Sequence, residues 1–121
     1  MLEDNTSTYY IYILQCKGKR YYTGYTTDIK RRYKEHLSGS SKSKFTRSFP
    51  PEKIAACWQI KGTKSSAMKI EAAIKRLPHD KKSKLCESAE NLSETFDIEL
   101  TLKNKTLIDF SGCIRIKNPL Q

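Results

Sequence analysis

Nothing in this 121-residue chain approaches the ~18 consecutive apolar residues that a membrane span needs. The opening Met1-Leu2-Glu3-Asp4-Asn5-Thr6-Ser7-Thr8 is acidic and polar, without the basic start and apolar stretch of a secretory signal. Cysteine pairs are missing too. Cys16, Cys57, Cys86 and Cys113 stand alone, with no C-x-x-C and no histidine at zinc-finger spacing. This predicts four reduced thiols in a cytoplasmic protein, with no disulfide-linked partner and no zinc. Internal repeats are absent, and the length suits one domain with a core of ordinary size.

Acidic residues are scarce where basic ones are dense. Residues 1–85 carry 19 Lys/Arg against 7 Asp/Glu, whereas residues 86–121 carry 4 against 6. All of the +10 net charge therefore belongs to the first part of the chain. A basic body of this kind implies a polyanionic partner, and nucleic acid is the common one.

Tyrosine, by contrast, is concentrated. Six of the seven lie between positions 9 and 25. Residues 9–16 are β-branched and aromatic with no Gly or Pro, which predicts a strand. Lys17-Gly18-Lys19-Arg20 predicts a hairpin loop and residues 21–25 the return strand. Asp28 is placed to cap a helix or sit in its first turn. Ile29, Tyr33, His36 and Leu37 make a one-sided apolar stripe ending near Ser38-Gly39. Residues 38–47 predict a polar, basic loop closed by Phe49-Pro50-Pro51, and Lys53–Ile60 a third strand. Ser65 or Ser66 opens a second helix with Ala67, Ile70, Ala73, Ile74 and Leu77 at helical spacing, and Pro78 starts a short basic helix to about Cys86. The tail alternates from Phe96 to Lys103 and continues through Thr106–Phe110 and Cys113–Lys117, the pattern of a small antiparallel meander.

Tyr10-Ile11-Tyr12, then Tyr22-Thr23-Gly24, then Asp28-Ile29-Lys30-Arg31-Arg32 and His36, then Glu71 form an ordered set that resembles the GIY-YIG nuclease domain. Glu35-His36, Phe45-Thr46-Arg47 and Glu71-Ala72-Ala73-Ile74-Lys75-Arg76-Leu77 are similar to its small single-domain, uncharacterised bacterial-type members. The resemblance covers residues 9–85. It implies an α+β fold with a three-stranded antiparallel sheet packed with helices, and a nuclease domain over 9–90. Residues 91–121 fall outside it, and their alternation alone predicts a C-terminal β extension packed on the same domain.

The resemblance also implies roles. Tyr12 and Tyr22 match the two catalytic tyrosines, with Tyr12 the general base and Tyr22 positioning water or phosphate. A free phenol has a pKa near ~10, so it needs a cation or a histidine to take its proton. His36 matches the position that supports this transfer. Arg32 matches the phosphate-binding arginine, whose guanidinium can hold two phosphoryl oxygens. Glu71 matches the metal carboxylate, for a single weakly bound Mg²⁺ or Mn²⁺. Gly24 would allow a close backbone approach. Each residue has a plain structural reading alone, and the ordered set carries the functional one.

Lys30, Arg31, Lys34, Lys42, Lys44 and Arg47, with Lys75, Arg76, Lys81, Lys82 and Lys84 as a second basic region, would contact phosphates without reading sequence. The expected activity is metal-dependent endonucleolytic hydrolysis of DNA with low sequence specificity, in repair, recombination or restriction-like defence. The alternative is a catalytically weak or inactive nucleic-acid-binding module on the same fold. Two departures bear on that choice: Tyr25 stands where many members carry a lysine, and Asp80–Leu85 lacks the asparagine many place there.

Overall fold

The structure is a computed structural model and describes residues 6–39, 43–87 and 113–121. The expected strands over 96–103 and 106–110, and Lys42, lie outside the described residues. The fold is α+β. Strand β1 (Ser7–Cys16) turns through Lys17–Lys19 into β2 (Arg20–Thr26). Gly18 (φ 78°) and Lys19 (φ 58°) both take left-handed backbone there, which the glycine allows without steric cost. Strand β3 (Pro51–Gly62) pairs antiparallel with the other side of β1, so β1 is central. A fourth strand, β4 (Ile114–Arg115), adds to β3 at Trp58 and Gln59, extending the expected three-stranded sheet to the order β2-β1-β3-β4.

The pleat sorts side chains onto two faces. Ile11, Ile13, Ala56, Trp58 and Ile60 pack against helix α3 (Lys64–Lys75) through Ala67, Ile70, Ala73 and Ile74, and against α4 (His79–Glu87) through Leu85. Tyr12, Leu14, Cys16 and Cys57 face the opposite way, toward Ile29 and Tyr33 of α1 (Ile29–Ser38). A register shift between Ile13 and Leu14 keeps both sets aligned despite an extra residue in β3.

Helix α1 starts where Asp28 accepts from the Arg31 N–H and stops at Gly39. Its apolar stripe is narrower than expected. Ile29 and His36 are buried, but Leu37 is 55% exposed. The last inward position goes to His36, which has hydrogen-bond partners inside, and Leu37 lies about 100° further round the helix. Helix α3 is capped by Thr63, not by Ser65 or Ser66, with Ser66 completing a reciprocal capping box. The expected basic loop contains a short helix, α2 (Lys44–Ser48), anchored by the buried Thr46 and by Phe45 against Phe49 at 5.2 Å.

Arg115 fastens the C-terminal strand. Its guanidinium lies 5.2 Å from the Trp58 ring and donates to the carbonyls of Ala55, Leu85 and Cys86, tying the end of α4 to β3. The four cysteines are free thiols, and burial pushes Cys57 up to about 12 and Cys16 up to about 11. Among the described residues no helix is long and apolar enough to cross a membrane.

Candidate active site

Tyr12 projects from the central strand with its side chain lying across β2, directly over Gly24. A β-carbon at Gly24 would stand 2.6 Å from the Tyr12 hydroxyl and 2.8 Å from Cζ, so only glycine leaves room for the phenol. The register that puts Tyr12 opposite Gly24 is that of the β1–β2 hairpin. Strand pairing thus sets the floor beneath the hydroxyl.

Above that floor, α1 supplies Arg32 and, one turn later, His36. The Tyr12 hydroxyl is 2.8 Å from His36 Nε2, and His36 Nδ1 is 2.8 Å from Thr46 Oγ1 of α2. All three residues are about 1% exposed. The Tyr22 ring meets the His36 ring edge-on at 4.8 Å, lies 6.2 Å from that of Tyr12, and stacks on Phe45 at 5.7 Å. Arg32 Nη1 is held by Glu35 Oε1 at 2.8 Å and Ser43 Oγ at 3.2 Å, and the phenols of Tyr12 and Tyr22 share its hydrogen-bonding surroundings.

These surroundings decide protonation. Burial pushes the Tyr12 phenol well above its usual range; Tyr22 adds to the rise, and Arg32 opposes it. Burial, reinforced by the Arg32 charge, lowers His36 to about 4. Burial also works against the Arg32 cation, but Glu35 and the two phenols outweigh it, so the guanidinium stays charged. At neutral pH the site therefore holds a phenol and an uncharged imidazole beside a fixed cation.

A stability prediction arises from His36. Its folded value of about 4 lies below the ordinary 6.5, so between these values the unfolded chain binds more protons. The contribution is complete above about pH 6.5 and is lost as pH falls toward 4. A shift of this size is worth about 3 kcal/mol. Urea unfolding of the parent should weaken from pH 7 to pH 4.5 by most of that amount more than His36→Gln does. Equal weakening of both would remove His36 from the explanation.

Glu71, on α3, pairs loosely with Lys75 at 3.7 Å, and its charge is felt at Tyr12. Burial raises its carboxyl above the usual value, with Lys75 pulling the other way. Among the described residues there is no group of three or more His, Cys, Asp or Glu that could hold a metal ion. A half-buried, weakly paired single carboxylate fits a mostly hydrated Mg²⁺, and would not make a closed site for zinc.

The basic residues fall on several surfaces. Lys30, Arg31 and Lys34 are exposed on α1, Lys44 and Arg47 on α2, and Lys75 and Arg76 at the end of α3. Lys84 is exposed on α4, but Lys81 and Lys82 are half-buried. Burial and the nearby Lys75 both lower the Lys82 pKa. Tyr25 does not face Tyr12. It packs edge-on to Tyr9 at 6.2 Å, on the sheet face that carries Ile11 and Trp58.

Sequence reasoning missed the contacts made by Glu35, Ser43 and Thr46. The two aromatics flanking the polar stretch, Phe45 and Phe49 at i and i+4, were the available sign that this segment folds as a helix against the site.

Comparison with known proteins yields a match to the GIY-YIG catalytic domain over residues 8–84. A UPF0213 protein of Cupriavidus necator is 45% identical over 80 residues, covering 66% of this chain and 85% of its own length. One from Haloquadratum walsbyi is 35% identical over 86 residues, covering 71% and 94%. The solution NMR structure of a UPF0213 protein from Bacillus halodurans aligns at 37% identity with a TM-score of 0.44, covering 80% of this chain and 98% of that one.

Proposed function

The chain belongs to the GIY-YIG family, within its small UPF0213 group, and from that membership, which implies nuclease activity in general terms, we propose a divalent-metal-dependent DNA endonuclease of low sequence specificity. The observation that carries this reading is the buried Tyr12–His36 contact of 2.8 Å with the Arg32 guanidinium beside it. It is an acid–base pair next to a charge suited to phosphate, on a body with a large excess of basic residues.

Attack of water on phosphorus forms one P–O bond and breaks another. The water proton passes to the Tyr12 oxygen while the Tyr12 proton moves to His36 Nε2, and the departing oxygen takes a proton from solvent. Coupling the two transfers matters. The raised phenol and the lowered imidazole make a standing phenolate–imidazolium pair costly. Arg32 stabilises the charge that builds on the phosphoryl oxygens, and Tyr22 orients the phosphate or water. Glu71 is the residue that would hold Mg²⁺ or Mn²⁺, which when bound would supply further positive charge at the phosphoryl group. Lys30, Arg31, Lys34, Lys44, Arg47, Lys75 and Arg76 bind backbone phosphates, so affinity falls steeply with salt.

The test is cleavage of supercoiled plasmid, flap, four-way junction and single-stranded DNA with Mg²⁺ or Mn²⁺. The parent nicks at least one of these, chelation stops it, and Glu71→Gln lowers the rate at least ~100-fold. Salt-sensitive binding with no cleavage under any divalent ion would instead identify a binding module.

A further inference from the structure

We propose that Thr46 is a positioning residue that fixes the tautomer of His36, leaving Nε2 bare to receive the Tyr12 proton. Thr46 lies on α2, outside the ordered set Tyr12, Tyr22, Arg32, His36 and Glu71, and is buried. Its hydroxyl has one proton and two lone pairs. The proton is given to the Ser43 carbonyl at 3.1 Å. What the oxygen offers His36 Nδ1, at 2.8 Å, is therefore a lone pair, and Nδ1 must carry the ring hydrogen. A neutral imidazole has one such hydrogen. Nε2 is then an acceptor, and the 2.8 Å contact with Tyr12 runs from the phenol O–H to the ring nitrogen.

The reverse polarity is disfavoured at both ends. It would take the Thr46 proton from the Ser43 carbonyl, leaving that oxygen with only the Arg47 N–H at 3.0 Å. It would also aim an imidazole N–H at a phenol oxygen that already shares the surroundings of the Arg32 guanidinium, and leave the phenol proton to find another acceptor in a buried site. The chain of bonds thus has one direction, Tyr12 to His36 to Thr46 to the Ser43 carbonyl. Thr46 Oγ1 sits at the far side of the imidazole from Tyr12 and acts only through it.

The kinetic part rests on the nuclease reading; the tautomer part does not. Full-length protein labelled with ¹⁵N in histidine is observed by long-range ¹H–¹⁵N NMR at pH 7 without DNA, which separates protonated from bare ring nitrogens. The parent shows His36 with Nδ1 protonated and Nε2 bare. Thr46→Val shifts His36 toward the Nε2-protonated form and lowers kcat for cleavage ~100-fold with KM within about twofold. Thr46→Ser, which keeps the oxygen, restores both.

A parent spectrum with Nε2 protonated overturns the proposal. So does a Thr46→Val protein that keeps the parental tautomer and kcat. If Thr46→Val does not fold, the parent spectrum and Thr46→Ser decide. If the parent cuts nothing, the nuclease reading falls alone and the NMR comparison still settles the role of Thr46.

Discussion

Arg32→Ala should lower kcat for DNA cleavage by about 10²–10³-fold, the loss that follows removal of one preorganised charge donor from an active site. The side chain is only 17% exposed and is held by Glu35 and Ser43, so its position is set before substrate arrives. Alanine removes the cation that the proposed mechanism sets against the phosphoryl group, and with it the pull that moderates the Tyr12 phenol. Folding should suffer far less. Glu35 is 30% exposed and can recover water when its partner is gone, and pairs of this kind contribute ~0–1 kcal/mol. The measurements are single-turnover cleavage and urea unfolding on the same preparation. Arg32→Lys separates charge from shape, since an ammonium keeps the charge without the planar fork, and should recover only part of the rate. Cleavage by Arg32→Ala at the parental rate would take Arg32 out of the site.

Gly24→Ala should be nearly as damaging to cleavage and more damaging to stability. The added methyl would stand 2.6 Å from the Tyr12 hydroxyl, well inside contact distance. Neither partner can yield cheaply. Gly24 is paired in β2, and Tyr12 is in the central strand, bonded on both sides. The phenol must swing away, and the 2.8 Å bond to His36 breaks, leaving a buried imidazole nitrogen without its donor. Overpacking of this sort costs ~1–3 kcal/mol, and an orphaned buried polar atom ~1–3 kcal/mol more. Thermal unfolding should report the sum, and cleavage should fall at least ~100-fold. Tyr12→Phe is the companion variant. It removes the hydroxyl without adding bulk, so it should match the activity loss with a smaller loss of stability. Full activity in Gly24→Ala would mean that the contact between Tyr12 and β2 is irrelevant to the chemistry.

The hairpin is legible in the sequence because its strands are dense in aromatic and β-branched residues and its turn contains glycine. Helix α3 is legible because Ala67, Ile70, Ala73 and Ile74 repeat at the right interval and all are buried. Gly24 stands out as a place of close approach, although the sequence does not say what approaches it. The rest depends on tertiary contacts that no local pattern records. Leu37 counts as apolar in any helical wheel, yet His36 takes the inward place because Tyr12 and Thr46 satisfy both of its nitrogens. Helix α2 is hidden by lysines and serines around two aromatics. Arg32 can be named for its place after Asp28-Ile29-Lys30-Arg31, but its contacts with Glu35 and Ser43 follow from how α1 meets the segment leading into α2.

The central position of β1 also has a consequence for the order in which function can arise during folding. Tyr12 meets Gly24 across 12 residues of chain, and Cys57 across 45. The first contact is a hairpin closure, of a kind that forms in ~1–10 μs. The second must close a long loop at a greater entropic cost, which makes such pairings slow. His36 and Thr46 both lie inside that longer loop. A chain that has made only the hairpin possesses the phenol and the glycine floor but no acceptor for the proton. A half-folded species of that kind still carries its basic charge toward nucleic acid but lacks the Tyr12–His36 pair on which the proposed cleavage depends, and that pair is complete only after the long-range closure.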